Sequence, residues 1–278
     1  FVEFDQCYTR HSDFCLPNRL KGDTDMDRND HRPLVIAHRG AAGQAPENTP
    51  AAFRLAVEQG CDMIELDVQL SADEEIVVCH DFEADRTTNG SGLIRETTLE
   101  ELRRLDAGAW FSPEYAGERI PTLREVFDLV PSSVGINIEL KCSDNRIIHL
   151  LSSLIREYGR TESVVISSFD HRLLHRLKTA SPDLRIGLLY SANLLDPVKL
   201  VRDFGLDVYS MHPHFALIEP EDIAALRANG QQVYPWTVND PEAMKRLLAR
   251  GVSGIITDYP DRLRRLAGSS IERSLQDG

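Results

Sequence analysis

The sequence predicts an α/β fold, a TIM-type (β/α)8 barrel, on three observations. Short apolar runs recur eight times after residue 33. Amphipathic stretches opened by helix-capping residues lie between most of them. The length, 278 residues, is close to the roughly 250 of a single barrel.

The runs span 34–37, 62–68, 135–140, 163–168, 185–189, 207–211, 232–237 and 254–257. Thr49 caps the first helix with Pro50 at its first position, and Gly60 stops it. Thr98 with Glu101, and Thr122 with Glu125, have capping-box spacing, the first opening a helix over 98–105. Asp170, Pro220 and Asp240-Pro241 open three more helices, the last ending before Gly251.

A ninth run, 76–79, follows the second strand after only Gln69 to Glu75. A parallel crossover needs about a dozen residues, whereas an antiparallel return does not. The second strand therefore extends past the barrel mouth, turns near Ser71–Glu74, and returns as a β-hairpin carrying His80 towards Asp67. More than one helix's worth of chain separates His80 from the third barrel strand, so about 82–121 reads as a small insertion beside the mouth. The barrel domain spans 31–273, with 274–278 as a tail. The polar stretch Lys21–Asp30 lacks periodicity, so residues 1–30 read as an arm or linker.

Formal net charge is −13 with no long basic block, which argues against general nucleic-acid binding. A small anionic substrate remains compatible with a local cluster of basic groups or metal. No apolar run is long enough for a transmembrane segment. Five cysteines (7, 15, 61, 79 and 142) form no CxxC pair, a pattern of reduced cytoplasmic thiols, although Cys7 and Cys15 could pair. A secreted or periplasmic form stripped of its leader would read the same. Oligomeric state is not encoded in any pattern here.

Chemistry concentrates at the carboxyl ends of the predicted strands, where barrel active sites lie. Glu65 and Asp67 alternate within one strand and so share a face; Glu139 lies on the next. Three neighbouring acids repel one another without a cation, and their oxygens suit Mg2+ or Ca2+. His38 and His80 reach the same mouth as a candidate acid–base pair. Arg39 and Lys141 are candidate anion partners, Arg39 alternatively bracing a carboxylate. Trp236 ends the seventh run as a wall for the organic group or as rim packing. His212 and His214 are placed in the loop after the sixth strand.

These segments resemble the glycerophosphodiester phosphodiesterase family. The resemblance rests on His38-Arg39-Gly40, Pro46-Glu47-Asn48-Thr49, Glu65-Leu66-Asp67-Val68, His80-Asp81 and Asn137-Ile138-Glu139-Leu140-Lys141. Ser167-Ser168-Phe169-Asp170, Trp236-Thr237-Val238-Asn239 and Ile256-Thr257-Asp258-Tyr259-Pro260 continue it, so that it covers about 33–270. It implies hydrolysis of glycerophosphodiesters to sn-glycerol 3-phosphate and an alcohol. It also implies catalytic His38 and His80, and one divalent cation, Mg2+ or Ca2+, on Glu65, Asp67 and Glu139. Arg39 and Lys141 match phosphate-facing residues, and Glu47 and Asn48 match a supporting motif. Phe82-Glu83-Ala84 departs from the small, proline-rich phrase usual after His-Asp, which leaves the alcohol preference open. The attacking oxygen, water or the substrate's own 2-hydroxyl, stays open too, as does which histidine is the base. The nearest alternative is a lysophospholipase D-like phosphodiesterase acting on lysophospholipids.

Overall fold

Strand β1 (Leu34–His38) begins a parallel sheet that curls round until its two ends meet. The computed structural model describes residues 32–276; the expected arm over 1–30, with Cys7, Cys15 and the final residues of the tail, lies outside them. The strands after β1 are β2 (Met63–Leu70), β3 (Ile76–Val78), β4 (Gly135–Leu140), β5 (Val164–Ser168) and β6 (Arg185–Tyr190). The last three are β7 (Ser210–Pro213), β8 (Gln232–Val233) and β9 (Gly254–Thr257). Around the parallel path the order is β8-β7-β6-β5-β4-β2-β1-β9. The remaining seam is bridged by backbone bonds from Ser253 N–H to Val233 O and from Ile256 N–H to Pro235 O, both 3.0 Å. The (β/α)8 expectation is borne out.

Helices α1 (Pro50–Glu58), α2 (Leu99–Leu102), α3 (Leu123–Leu129), α4 (Arg146–Glu157) and α5 (His171–Ala180) follow in order. They continue with α6 (Pro197–Phe204), α7 (Pro220–Ala228), α8 (Pro241–Ala249) and α9 (Pro260–Gln276). The expected caps form: Thr49, Asp170 and Asp240 accept from Ala52, Leu173 and Ala243 N–H. Both capping boxes close. Each such cap stabilises by about 1 kcal/mol.

Three boundaries differ from expectation by three residues or more, each for a local reason. Strand β7 starts at Ser210 rather than 207, because α6 ends on left-handed Gly205 and the next few residues only lead into the sheet. Strand β8 pairs over two residues rather than 232–237, since Pro235 has no N–H to give a ladder. Helix α2 stops at Leu102, its continuation tightening into three-residue bonds from Arg104 to Glu101 and Leu105 to Leu102.

The hairpin forms as expected. Strand β3 runs antiparallel to β2 with Val68 opposite Val78 and Leu70 opposite Ile76. Glu74 takes a left-handed φ of 65° to make the turn.

Alternation divides the core. On β2 and β4, Ile64, Leu66, Val68, Ile136, Ile138 and Leu140 face outward into the apolar layer beneath the helices. Ile36, Met63, Val165, Tyr234 and Ile256 plug the barrel floor. The insertion has its own small core, in which Ala84, Ile94, Leu102, Ala107 and Ile120 pack on Val77 and Cys79.

Candidate active site

Register explains why the acids meet. Parallel pairing sets His38 beside Glu65, Glu65 beside Asn137, and Asp67 beside Glu139. With the even-numbered neighbours facing outward, Glu65, Asp67 and Glu139 all point inward. Their carboxylates offer ligand atoms within 4.8 Å of one another.

These acids are deeply set, Glu65 at 3% and Asp67 at 1% exposure. Burial, then Asp67 and Glu139, pushes the Glu65 carboxyl well above its ordinary range. Glu139 is raised by burial and then by Asp67, against the pull of Lys141. Asp67 Oδ1 is buried with no hydrogen-bond partner among the described residues, an arrangement that costs free energy. Among the described residues, only Arg39 and Lys141 oppose the three charges directly, and Arg39 is shared with Glu47. A divalent cation with oxygen preference fits this set: it would satisfy the orphaned oxygen and cancel the mutual repulsion.

Each histidine is held by a carboxylate of its own. His38 Nδ1 lies 2.6 Å from Asp258 Oδ1, whose Oδ2 accepts from Asn239 Nδ2 at 2.5 Å. Despite burial, the bonds from His38 and Asn239 keep the Asp258 carboxyl below its ordinary range. His38 Nε2 then faces Glu65 at 4.0 Å. His80 Nδ1 sits 2.5 Å from Asp81 Oδ1, and its Nε2 lies 3.1 Å from Lys141 Nζ. Burial lowers the His80 pKa, so its neutral form accepts from Lys141. Lys141 also donates to Glu139 at 2.8 Å. Burial opposes its charge, but Glu139 and Asp67 outweigh burial and raise its pKa.

The turn after β1 completes the site. Arg39 and Gly40 both take left-handed conformations, φ 53° and 83°, aiming the Arg39 N–H at Glu65 Oε2, 3.0 Å away. A Cβ on Gly40 would lie 2.6 Å from the Ala52 carbonyl carbon, so glycine is also what lets α1 approach. Arg39 Nη1 donates to Glu47 at 2.7 Å. Its Nε is 3.3 Å from Asp67, near enough for attraction but misaligned for a hydrogen bond. The guanidinium is thus in part a brace. Glu47 accepts as well from Arg86, which also grips Asp81. These arginines outweigh burial and bring the Glu47 carboxyl down to about 2. Asn48, another left-handed residue, donates to Asp67 Oδ2 at 2.8 Å.

Trp236 follows β8 at the mouth, its Nε1–H bonded to His212 O and its ring edge-on to Phe169 and His214. His212 corrects its loop assignment: it lies within β7, fully buried, with Nε2 2.8 Å from Ser210 Oγ. Burial brings its pKa down to about 3, so it is a neutral structural side chain. His214 does follow the strand and stacks on Phe215. Sequence reasoning gave no role to Asp81, Arg86, Asn239 or Asp258. Asp258 follows the last barrel strand as Lys141 follows β4, so the strand-end criterion was sufficient to flag it.

An α/β barrel that sets a three-carboxylate cluster between two carboxylate-held histidines defines a hydrolytic enzyme of the phosphodiesterase kind. Residues 38–262 match the model of the glycerophosphoryl diester phosphodiesterase family, and the chain belongs to that family. A glycerophosphodiester phosphodiesterase of Caldanaerobacter subterraneus is 46% identical over 84% of this chain and 98% of its own. A lysophospholipase D of Homo sapiens is 32% identical over 82% of this chain and 84% of its own. Among solved structures, an Oleispira antarctica phosphodiesterase in complex with the product sn-glycerol-3-phosphate superposes with a TM-score of 0.79. It has 34% identity, over 84% of this chain and 96% of that one. No helix among the described residues is long and apolar enough to cross a membrane.

Proposed function

We propose that the enzyme hydrolyses glycerophosphodiesters to sn-glycerol 3-phosphate and an alcohol, with His38 and His80 as the acid–base pair. The carrying observation is their matched anchoring, Nδ1 of each on a carboxylate and Nε2 turned towards the acid cluster or its lysine. Glu65, Asp67 and Glu139 would hold one divalent cation, Mg2+ or Ca2+. When bound, the cation supplies electrostatic stabilisation of the phosphoryl oxygens. Lys141 and the free edge of Arg39 bind those oxygens from the protein side. Asp258 and Asp81 fix the ring orientations and stabilise the protonated imidazole. One histidine takes the proton of the attacking oxygen and the other protonates the leaving alcohol. Trp236 walls the glycerol. Scattered thiols support a cytoplasmic setting, and 1–30, the 31–273 barrel with its insertion, and 274–278 remain our domain division.

The test is turnover of glycerophosphocholine and glycerophosphoethanolamine with EDTA, then with Mg2+ or Ca2+ restored. Glycerol 3-phosphate release that stops with EDTA and returns with metal is expected. His38→Ala and His80→Ala should each lose about 10²–10⁴-fold in kcat; near-normal turnover would refute the assignment. One observation favours a second reading, lysophospholipase D activity: Phe169, 47% exposed, lies edge-on to Trp236 at 5.5 Å, an apolar rim for an acyl chain. Faster release of lysophosphatidic acid from lysophosphatidylcholine than of glycerol 3-phosphate from glycerophosphocholine would select it.

A further inference from the structure

A cavity of about 480 Å3 opens on the β4 side of the barrel mouth, within the range that holds small organic ligands. Its walls come from three segments: the end of β2, the insertion, and the loop after β4. Lys141 belongs to both this cavity and the acid–histidine site, with Nζ 3.1 Å from His80 Nε2 and 2.8 Å from Glu139. Along the ring of strands, β4 and β8 are four places apart in eight, hence diametrically opposed. Trp236 follows β8. A phosphodiester held at Lys141 and His80 with one arm on Trp236 can place the other in the cavity, which shares Lys141 with the site.

Resting on the phosphodiesterase reading above, we infer that this cavity receives the alcohol arm, and that it selects a polyhydroxylated alcohol over a quaternary ammonium alcohol. Both wall carboxylates, Asp144 and Glu96, are paired with wall arginines. Arg146 grips Asp144 through Nε and Nη2, at 2.6 to 3.1 Å, and reaches Glu74 through Nη1. Arg95 lies 3.3 Å from Glu96. Paired groups of this kind present no uncompensated negative charge to a cation, yet keep unused lone pairs and N–H groups for hydroxyls. Ser143 adds a further hydroxyl. Quaternary ammonium groups are recognised by cages of several aromatic faces. Among the described residues lining the cavity, one is aromatic, Phe82, 58% exposed. A single ring face suits the C–H side of a cyclitol or sugar, with the ion-paired wall meeting its hydroxyls. The charged wall also disfavours an acyl chain.

The experiment measures kcat/KM of the full chain with divalent cation on glycerophosphoinositol, glycerophosphoglycerol and glycerophosphocholine, then repeats it on Phe82→Ala and Arg146→Ala. Both side chains are largely exposed, and thermal melts verify folding. The expected result is a preference of about tenfold or more for the polyol diesters, falling to within about threefold in both variants. Equal turnover of all three diesters by the parent enzyme would overturn the subsite, as would a preference that survives both substitutions. Hydrolysis of none of them would instead overturn the glycerophosphodiester reading, and the subsite with it.

Discussion

Replacing Asp258 by asparagine tests whether His38 works through its orientation. In the parent, Asp258 accepts from His38 Nδ1 at 2.6 Å and from Asn239 Nδ2 at 2.5 Å. The backbone N–H of Asp258 meanwhile donates to Asn239 Oδ1 at 3.0 Å, which fixes the Asn239 amide. An asparagine at 258 has one acceptor oxygen for two donors. With its oxygen towards the fixed Asn239 amide, its NH2 faces His38 and forces the proton from Nδ1 to Nε2. The ring then meets the acid cluster with the wrong tautomer, and its protonated form loses its counter-charge. Loss of such an orienting carboxylate costs about 10²–10⁴ in kcat, or roughly 3–5 kcal/mol of barrier. KM should move by less than about threefold, since Asp258 touches no substrate atom in this reading. Steady-state kinetics on glycerophosphocholine, with a thermal melt alongside, reads both numbers. A kcat within about threefold of the parent, in a folded protein, would refute the orienting role.

Other perturbations discriminate the remaining parts. Mg2+ or Ca2+ at about 100 times its dissociation constant should stabilise by roughly 2.7 kcal/mol and raise Tm by about 5–10 °C; Asp67→Asn should abolish most of that shift, and an equal shift in both proteins would reject the ligand set. Arg86→Lys should lower kcat about tenfold while costing no more than about 1 kcal/mol of stability, because a lysine cannot fork between Asp81 and Glu47. His212, neutral when folded down to about pH 3, takes a proton in the unfolded chain below about 6.5. Folding thus loses about 1.4 kcal/mol per pH unit across that window, near 2 kcal/mol at pH 5. In urea titrations at pH 7 and 5, His212→Gln should escape that loss, and parallel behaviour of the two proteins would show a charged His212 in the fold.

What was legible in the sequence follows from distance along the chain. Glu65 and Asp67 stand out because two acids interrupt an apolar run in alternation, a local pattern whose only comfortable reading is an inward, compensated pair. His80 was reachable through the short hairpin, since seven residues permit only an antiparallel return. Asp258 lies 220 residues from His38, and the two meet only because β1 pairs with β9 at the closure, Ala37 beside Thr257. A predicted eight-stranded barrel already implies that its first and last strands are neighbours, so the contact was derivable from topology though absent from any local pattern. Arg86 had no such signal. Its role depends on how the insertion folds back over Glu47, which is set by the packing of Ala84, Ile94 and Leu102 on β3 rather than by a motif. His212 fell outside the expected run because Pro213 beside it interrupts a strand pattern, and burial against Gly187 and Ser210 overrode that signal.

The two histidines are anchored to different parts of the molecule, and the difference has a functional consequence. His38 is tied through Asp258 and Asn239 to the seam where the barrel closes, a region of strands and short turns. His80 is tied through Asp81 to Arg86, a residue of the insertion, and through Lys141 to the loop that walls the cavity. Phe82 and Arg95 of the same insertion line that cavity. Substitution within the insertion therefore acts on the fit of the alcohol and on the setting of His80 together. Substitution at the closing seam acts on His38 with the alcohol site untouched. Changes in alcohol preference should thus carry changes in kcat when they arise from 82–96, and variants at Asn239 or Asp258 should lower kcat equally for every alcohol. An insertion variant that changed preference with kcat constant across all diesters would separate the two functions that Arg86 and Lys141 join.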